Sequence, residues 1–143
     1  MERILVAYGT KYGATAEIAE RIGQVLREAG LEADVQAADR AGDLGQYGAV
    51  VLGSAVYIGQ WRKDAARFLK ENQTTLVEKP VWIFSSGPTG EGDVEELIEG
   101  WSFPGKLQPI ADRIRPRDMV IFHGAADENK MGRLDKWMLK NVK

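Results

Sequence analysis

Two kinds of hydrophobic pattern alternate along the chain. Ile4-Leu5-Val6-Ala7-Tyr8, Ala49-Val50-Val51-Leu52-Gly53, Pro80-Val81-Trp82-Ile83-Phe84 and Asp118-Met119-Val120-Ile121-Phe122 are short, nearly continuous apolar runs. Such runs predict strands buried on both faces, with Pro80 tolerated at a first position. Leu31, Ala33 and Val35 alternate instead with Glu32, Asp34 and Gln36, which predicts a half-exposed strand near a sheet edge. Between the runs, apolar residues recur at helical spacing. Ile18, Ile22, Val25, Leu26 and Ala29 predict a helix from about Ala14 to Ala29, closed by Gly30. Ala65, Phe68 and Leu69 predict a second over Arg62 to Glu71. Val94 to Glu99 and Lys106 to Arg113 are further helical segments, separated by a turn from Gly100 to Gly105. Met131, Leu134 and Met138 mark a C-terminal helix, and Ala38 to Tyr47 and Ser85 to Asp93 read as loops.

Strands that alternate with helices make βαβ units, a parallel sheet and right-handed crossovers. The expected fold class is therefore α/β. Five strands would form a doubly wound sheet in the order 2-1-3-4-5, with helices on both faces. Chain direction reverses between the first and third strands of that order, and ligands bind in the crevice beyond the strands' carboxyl ends there. A chain of 143 residues without a linker or repeat fits a single domain, 1–143.

Composition narrows the chemistry. The sequence has no cysteine, so disulfides, thiolate nucleophiles and cysteine-held metals are excluded. A net charge of −2 gives no pull toward nucleic acid. No apolar run approaches the roughly 18 residues of a membrane span. Met1-Glu2-Arg3 leads straight into a strand, so no signal peptide and a cytoplasmic location are expected. His123 is the only histidine and has no partners in the sequence for a metal site; a structural hydrogen bond is its expected role. The acidic run Glu91, Asp93, Glu95, Glu96 and Glu99 fits a helix start.

Three segments should meet at the crevice. The first is the turn between strand one and helix one: Thr10, Lys11, Tyr12, Gly13, Ala14 and Thr15. A strand-to-helix turn aims backbone N–H groups and the helix dipole at one point, which suits a phosphate. Thr10 and Thr15 add hydroxyls, Lys11 adds charge, and Gly13 lets the backbone approach an anion. Neither G-x-x-x-x-G-K-[ST] nor G-x-G-x-x-G is present. The second segment follows strand three: Ser54, Ala55, Val56, Tyr57, Ile58, Gly59 and, after Gln60, Trp61. Apolar and aromatic side chains on a crest loop suit a flat aromatic ligand, with Tyr57 or Trp61 available to stack on it, or else they cover the core. The third is Ser85, Ser86 and Gly87, whose hydroxyls and amides suit a polar ring edge or an ordinary turn.

The Thr-x-x-Gly-x-Thr turn after strand one resembles the flavodoxin family, in which that turn holds the phosphate of FMN. Ser54 to Trp61 and the segment Gly132 to Lys140 resemble one flavodoxin subgroup, that of the quinone-dependent protoporphyrinogen dehydrogenases. The resemblance covers nearly the whole chain. The Thr10, Gly13, Thr15 and Gly59 matches are good, and the third segment matches by position and polarity alone. It lacks the tyrosine that many flavodoxins stack on the ring, so stacking falls to Tyr57 or Trp61. The subgroup also continues past its basic helix to a final helix. Here the Met131 helix is expected to dock on the sheet in its place, with a partner-binding role as the alternative.

The resemblance implies noncovalent FMN and an electron-transfer function, with no catalytic residue assigned. The alternatives are an FMN-dependent dehydrogenase acting on a quinone or porphyrinogen-type substrate, and a fold relative that only binds. A redox partner protein or such a small molecule is the expected partner, and peripheral membrane contact and oligomeric state stay open.

Overall fold

The first strand, β1 (Arg3–Gly9), lies inside the sheet with a strand on each side, and its Leu5, Val6 and Ala7 are fully buried. The computed structural model describes residues 3–9, 14–57, 60–87 and 107–123. In chain order β1 is followed by α1 (Ala14–Glu28), β2 (Glu32–Ala37), β3 (Ala49–Tyr57), β4 (Gln60–Trp61), α2 (Lys63–Glu71), α3 (Gln73–Leu76), β5 (Val81–Gly87), α4 (Gln108–Ile114) and β6 (Asp118–His123). The fold is α/β with a parallel sheet, as the alternation of patterns predicts. The strands lie in the order β2-β1-β3-β5-β6, each parallel to its neighbours, and β4 pairs antiparallel with β3 alone.

The period of two along each strand sorts its side chains to two cores. Leu5, Ala7, Val50, Leu52, Val81 and Ile83 face α2, α3 and α4, where Phe68, Leu69, Leu76, Ala111 and Ile114 close over them. Ile4, Val6, Ala49, Val51 and Phe84 face α1, whose Ile18, Ala19, Ile22, Val25 and Leu26 fill the other side. Strands covered on both faces explain the unbroken apolar runs of β1, β3 and β5. The fourth run instead forms β6 at an edge of the sheet, where Met119 is exposed rather than buried. The alternating run forms β2, at one end of the sheet and half-buried over most of its length.

The end of α1 is fixed by backbone and side chain together. The Leu31 N–H reaches Leu26 O and the Gly30 N–H reaches Arg27 O, both at 3.0 Å, with Gly30 at φ +90°. This paired closure places Gly30 in the left-handed conformation that favours glycine. The Arg27 guanidinium then donates twice to Ala33 O, at 3.1 and 2.8 Å, holding β2 beside the helix.

Several local expectations change. Residues 38–47 contain two 3-10 turns, Ala38–Arg40 and Leu44–Gln46, because Ala38 and Leu44 insert into the core. The short α3 places Leu76 in the same core, a single apolar anchor too isolated to show a period. Ala29 is exposed, since the helix has ended before it. The segments 94–99 and 131–138 lie outside the described residues, as does the acidic run.

Two predictions follow from the packing. Gly53 sits directly under the Phe84 ring, its register partner on β5, and a Cβ there would collide with the ring. Gly53→Ala should cost about 1–3 kcal/mol as an overpacked core residue, read as a lower denaturant midpoint; an unchanged midpoint would show that the ring has room to move. Tyr47 is buried and donates its hydroxyl to Asp34 Oδ2 at 2.9 Å. Burial, then the carboxylate, holds its pKa above the ordinary value of 10.0. A raised folded pKa stabilises the fold below the unfolded value and is lost as pH rises through the folded one. Stability should therefore fall above about pH 10, and Tyr47→Phe should flatten that decline. An identical alkaline decline in the variant would remove Tyr47 as its source.

Candidate functional site

The carboxyl ends of the parallel strands form one level across the sheet. Gly9 of β1 is in register with Ser54 of β3, Ser54 with Ser85 of β5, and Ser85 with Ile121 of β6. The connection from β1 enters α1, which packs on one face, and the chain returns to β3 on the other side of β1. The reversal point, where a crevice is expected, thus lies at the exit of β1.

Thr15 stands in the first turn of α1 at this point. It is 1 % exposed. Its Oγ1 is the buried side-chain polar atom that has no hydrogen-bond partner among the described residues. A buried hydroxyl without a partner costs about 1–3 kcal/mol. The N–H groups of a helix's first turn also lack intrahelical acceptors. Donors without an intrahelical acceptor, an unpartnered hydroxyl and the positive end of a 15-residue helix therefore coincide, a combination that suits an anionic oxygen. Thr10, Lys11, Tyr12 and Gly13, the rest of the predicted turn, lie outside the described residues, and of Ala14 only the backbone is described.

The second segment is a strand rather than a loop through Tyr57. β3 keeps pairing with β1 as far as Ser54 and with β5 as far as Ala55. It then pairs with the returning β4, Val56 with Trp61 and Tyr57 with Gln60. Backbone groups flanked by two strands extend the ladder, and this overrides the loop-like composition. Ile58 and Gly59 lie outside the described residues. The third segment is likewise strand: Ser85, Ser86 and Gly87 pair with Ile121, Phe122 and His123. His123 thus ends β6, beside Gly87.

Three side chains predicted at the site are engaged inside the protein. Trp61 is 6 % exposed and packs with the α2-side core. Its Nε1–H donates to Ser85 Oγ at 3.0 Å. Ser54 Oγ accepts the Arg62 N–H at 2.9 Å and donates to Ala55 O at 2.9 Å. Of the two readings the sequence leaves open for Trp61, stacking on a ligand or covering the core, the structure gives the second. Its hydrogen-bond partner lies 24 residues away, and that of Arg62 lies 8 away. The start of α2 also rests on the exit of β1, since a Cβ on Gly9 would lie 2.9 Å from Ala65 Cβ and 3.2 Å from Arg62 Cβ.

Among the described residues, no group of three or more His, Asp or Glu side chains is placed to hold a metal. No described helix is long and apolar enough to cross a membrane.

The fold and site define a class: an α/β protein with a parallel sheet and, at its reversal point, a helix start that carries a buried hydroxyl without a partner among the described residues. The profile of the flavodoxin domain family matches residues 5–143, and the chain belongs to that family. It is similar to the protoporphyrinogen IX dehydrogenase (quinone) of Escherichia coli strain K12, 24% identical over 142 residues, covering 98% of this chain and 78% of the relative. Its fold is also that of a short-chain flavodoxin associated with a PDU bacterial microcompartment, with a TM-score of 0.77 at 18% identity over 99% of this chain and 97% of the other. The rubredoxin oxygen:oxidoreductase of Desulfovibrio gigas gives a TM-score of 0.73 at 15% identity over 97% of this chain, which spans 35% of that protein's length. The family makes this a flavin-binding redox protein and indicates FMN as the cofactor. The unsatisfied Thr15 hydroxyl at the head of α1 fits the phosphate of FMN.

In the flavin-free protein, that hydroxyl is a cost. Thr15→Val removes it at almost constant shape, and should raise the stability of the flavin-free protein by about 1 kcal/mol. Chemical denaturation measures this, and a lowered midpoint would show that Oγ1 has a partner after all.

Proposed function

We propose that residues 1–143 form a single domain that binds FMN noncovalently and transfers electrons. The segment Thr10 to Thr15 would hold the phosphate: backbone N–H groups from Lys11 to Ala14 and the Thr10 and Thr15 hydroxyls would donate to its oxygens, and Lys11 would add charge. The segment Ala55 to Gly59 and the end of β5 would hold the ring, with Ala55, Val56, Ile58 and Gly59 as its lining, Ser86 and Gly87 at its polar edge, and Tyr57 as the aromatic available to stack on it. Ser54, Ser85 and Trp61 support the hairpin from beneath. The observation that carries this reading is Thr15 Oγ1, a buried hydroxyl with no partner at the head of α1.

The flavin, when bound, supplies the one- and two-electron chemistry. The protein supplies position and electrostatics. In the first reading it is a carrier that meets a redox partner protein. A second reading is favoured by the 24% identity to a protoporphyrinogen IX dehydrogenase across 98% of the chain. In that reading the FMN-loaded protein oxidises a porphyrinogen-type molecule and passes electrons to a quinone.

Calorimetric titration of Thr15→Val tests the placement. A hydrogen bond to a charged group contributes about 1.5–3 kcal/mol. The variant should lose at least about tenfold in FMN affinity and almost nothing in riboflavin affinity. Equal losses for both flavins would remove the phosphate from α1. Quinone reduction by the FMN-loaded protein, driven by protoporphyrinogen, would establish the dehydrogenase reading, and its absence would leave the carrier.

A further inference from the structure

Ser54 and Ser85 are register partners on neighbouring strands, 0 % and 3 % exposed, and each hydroxyl accepts from one of two consecutive residues. Ser85 Oγ takes the Trp61 indole N–H at 3.0 Å, and Ser54 Oγ takes the Arg62 backbone N–H at 2.9 Å. Trp61 ends the return strand of the hairpin, and Arg62 caps α2. The return strand is thus hung from two parallel strands at once, at the point where α2 presses on Gly9.

We propose that Trp61 and Ser85 are positioning residues for the flavin ring. Their hydrogen bond clamps the β3–β4 hairpin to the end of β5, and so sets the distance and tilt at which the hairpin meets the ring. The inference rests on the FMN reading above. Its physical basis is that β4 has only two residues and two register pairs with β3. So short a ladder holds its strand weakly. The indole, buried and with a directional donor, supplies the missing constraint. Indole nitrogen is a donor only, so a buried Trp61 needs an acceptor in that one direction. Ser85 reaches the ring through the hairpin, whereas Thr15 acts on the phosphate.

The two roles separate experimentally. Ser85→Ala deletes the acceptor of a buried donor, which forces the indole, and β4 with it, to shift. Both FMN and riboflavin affinity should fall by a similar factor, about tenfold. The midpoint potential and visible spectrum of bound flavin should shift as well. Removing the donor too, in Trp61→Phe combined with Ser85→Ala, should recover melting temperature, because no buried polar group then lacks its partner. It should leave flavin affinity and potential displaced, because the clamp is still absent; full recovery of affinity would overturn the inference. Trp61→Phe alone gives a second route if Ser85→Ala does not fold, with the same paired loss expected. A lower melting temperature with affinity, spectrum and potential unchanged would overturn the inference, making the bond purely structural. A loss confined to FMN would overturn it too. An unmutated protein that binds neither flavin would bring down the functional reading and this inference together, an outcome distinct from variants that bind as the parent does.

Discussion

Burial of β1 on both faces and pairing along both of its edges is the constraint on which the rest depends. A strand so placed has one exit, and the chain leaves it to enter α1 on one face. The first turn of α1 is then aimed at the carboxyl edge of the sheet, with N–H groups that have no acceptor within the helix and a Thr15 hydroxyl that has no partner among the described residues. Those donors follow from where β1 stops and α1 starts, and among the described residues of that turn Thr15 is the one whose side chain is buried. Gly9 completes the constraint from the other face, where it lets the first turn of α2 lie against the same exit.

The flavin-free protein bears a local destabilisation for this arrangement. Elsewhere the described core is satisfied: Arg27 is tied to Ala33 O, Tyr47 to Asp34, Ser54 to Arg62 and Trp61 to Ser85. An unsatisfied hydroxyl in such surroundings points to a ligand. Binding of FMN would convert that cost into affinity, and would stabilise the folded protein in proportion to ligand concentration.

Much of the fold is legible in the sequence because its signals are local and repeated. The runs at Ile4, Val50 and Val81 record strands covered on both faces, whereas the run at Met119 forms the edge strand β6, on which Met119 is exposed. The period through Ile18, Ile22 and Val25 records one face of α1. Gly30 marks a helix end by itself. The site was legible in part: Thr15 is recognisable by its distance from strand one. The extension of β3 through Tyr57 was not, because Ser54 and Ala55 have the composition of a turn and become strand only through neighbours far along the chain. Trp61 stays ambiguous for the same reason. An aromatic residue in a glycine-containing segment can crown a crest or cover the core, and the acceptor on Ser85 and the space under α2 decide for the core. The 3-10 turn at Leu44 and the helix at Gln73 are likewise set by single side chains that find a cavity, and one anchor has no period.

The central claim is that the head of α1 recognises a phosphate. Its most direct test is the affinity of the unmutated protein for FMN compared with riboflavin, measured by calorimetry at one salt concentration. Several hydrogen bonds to a charged group, each contributing about 1.5–3 kcal/mol, predict FMN binding at least about a hundredfold tighter. Equal affinity for the two flavins would contradict the account.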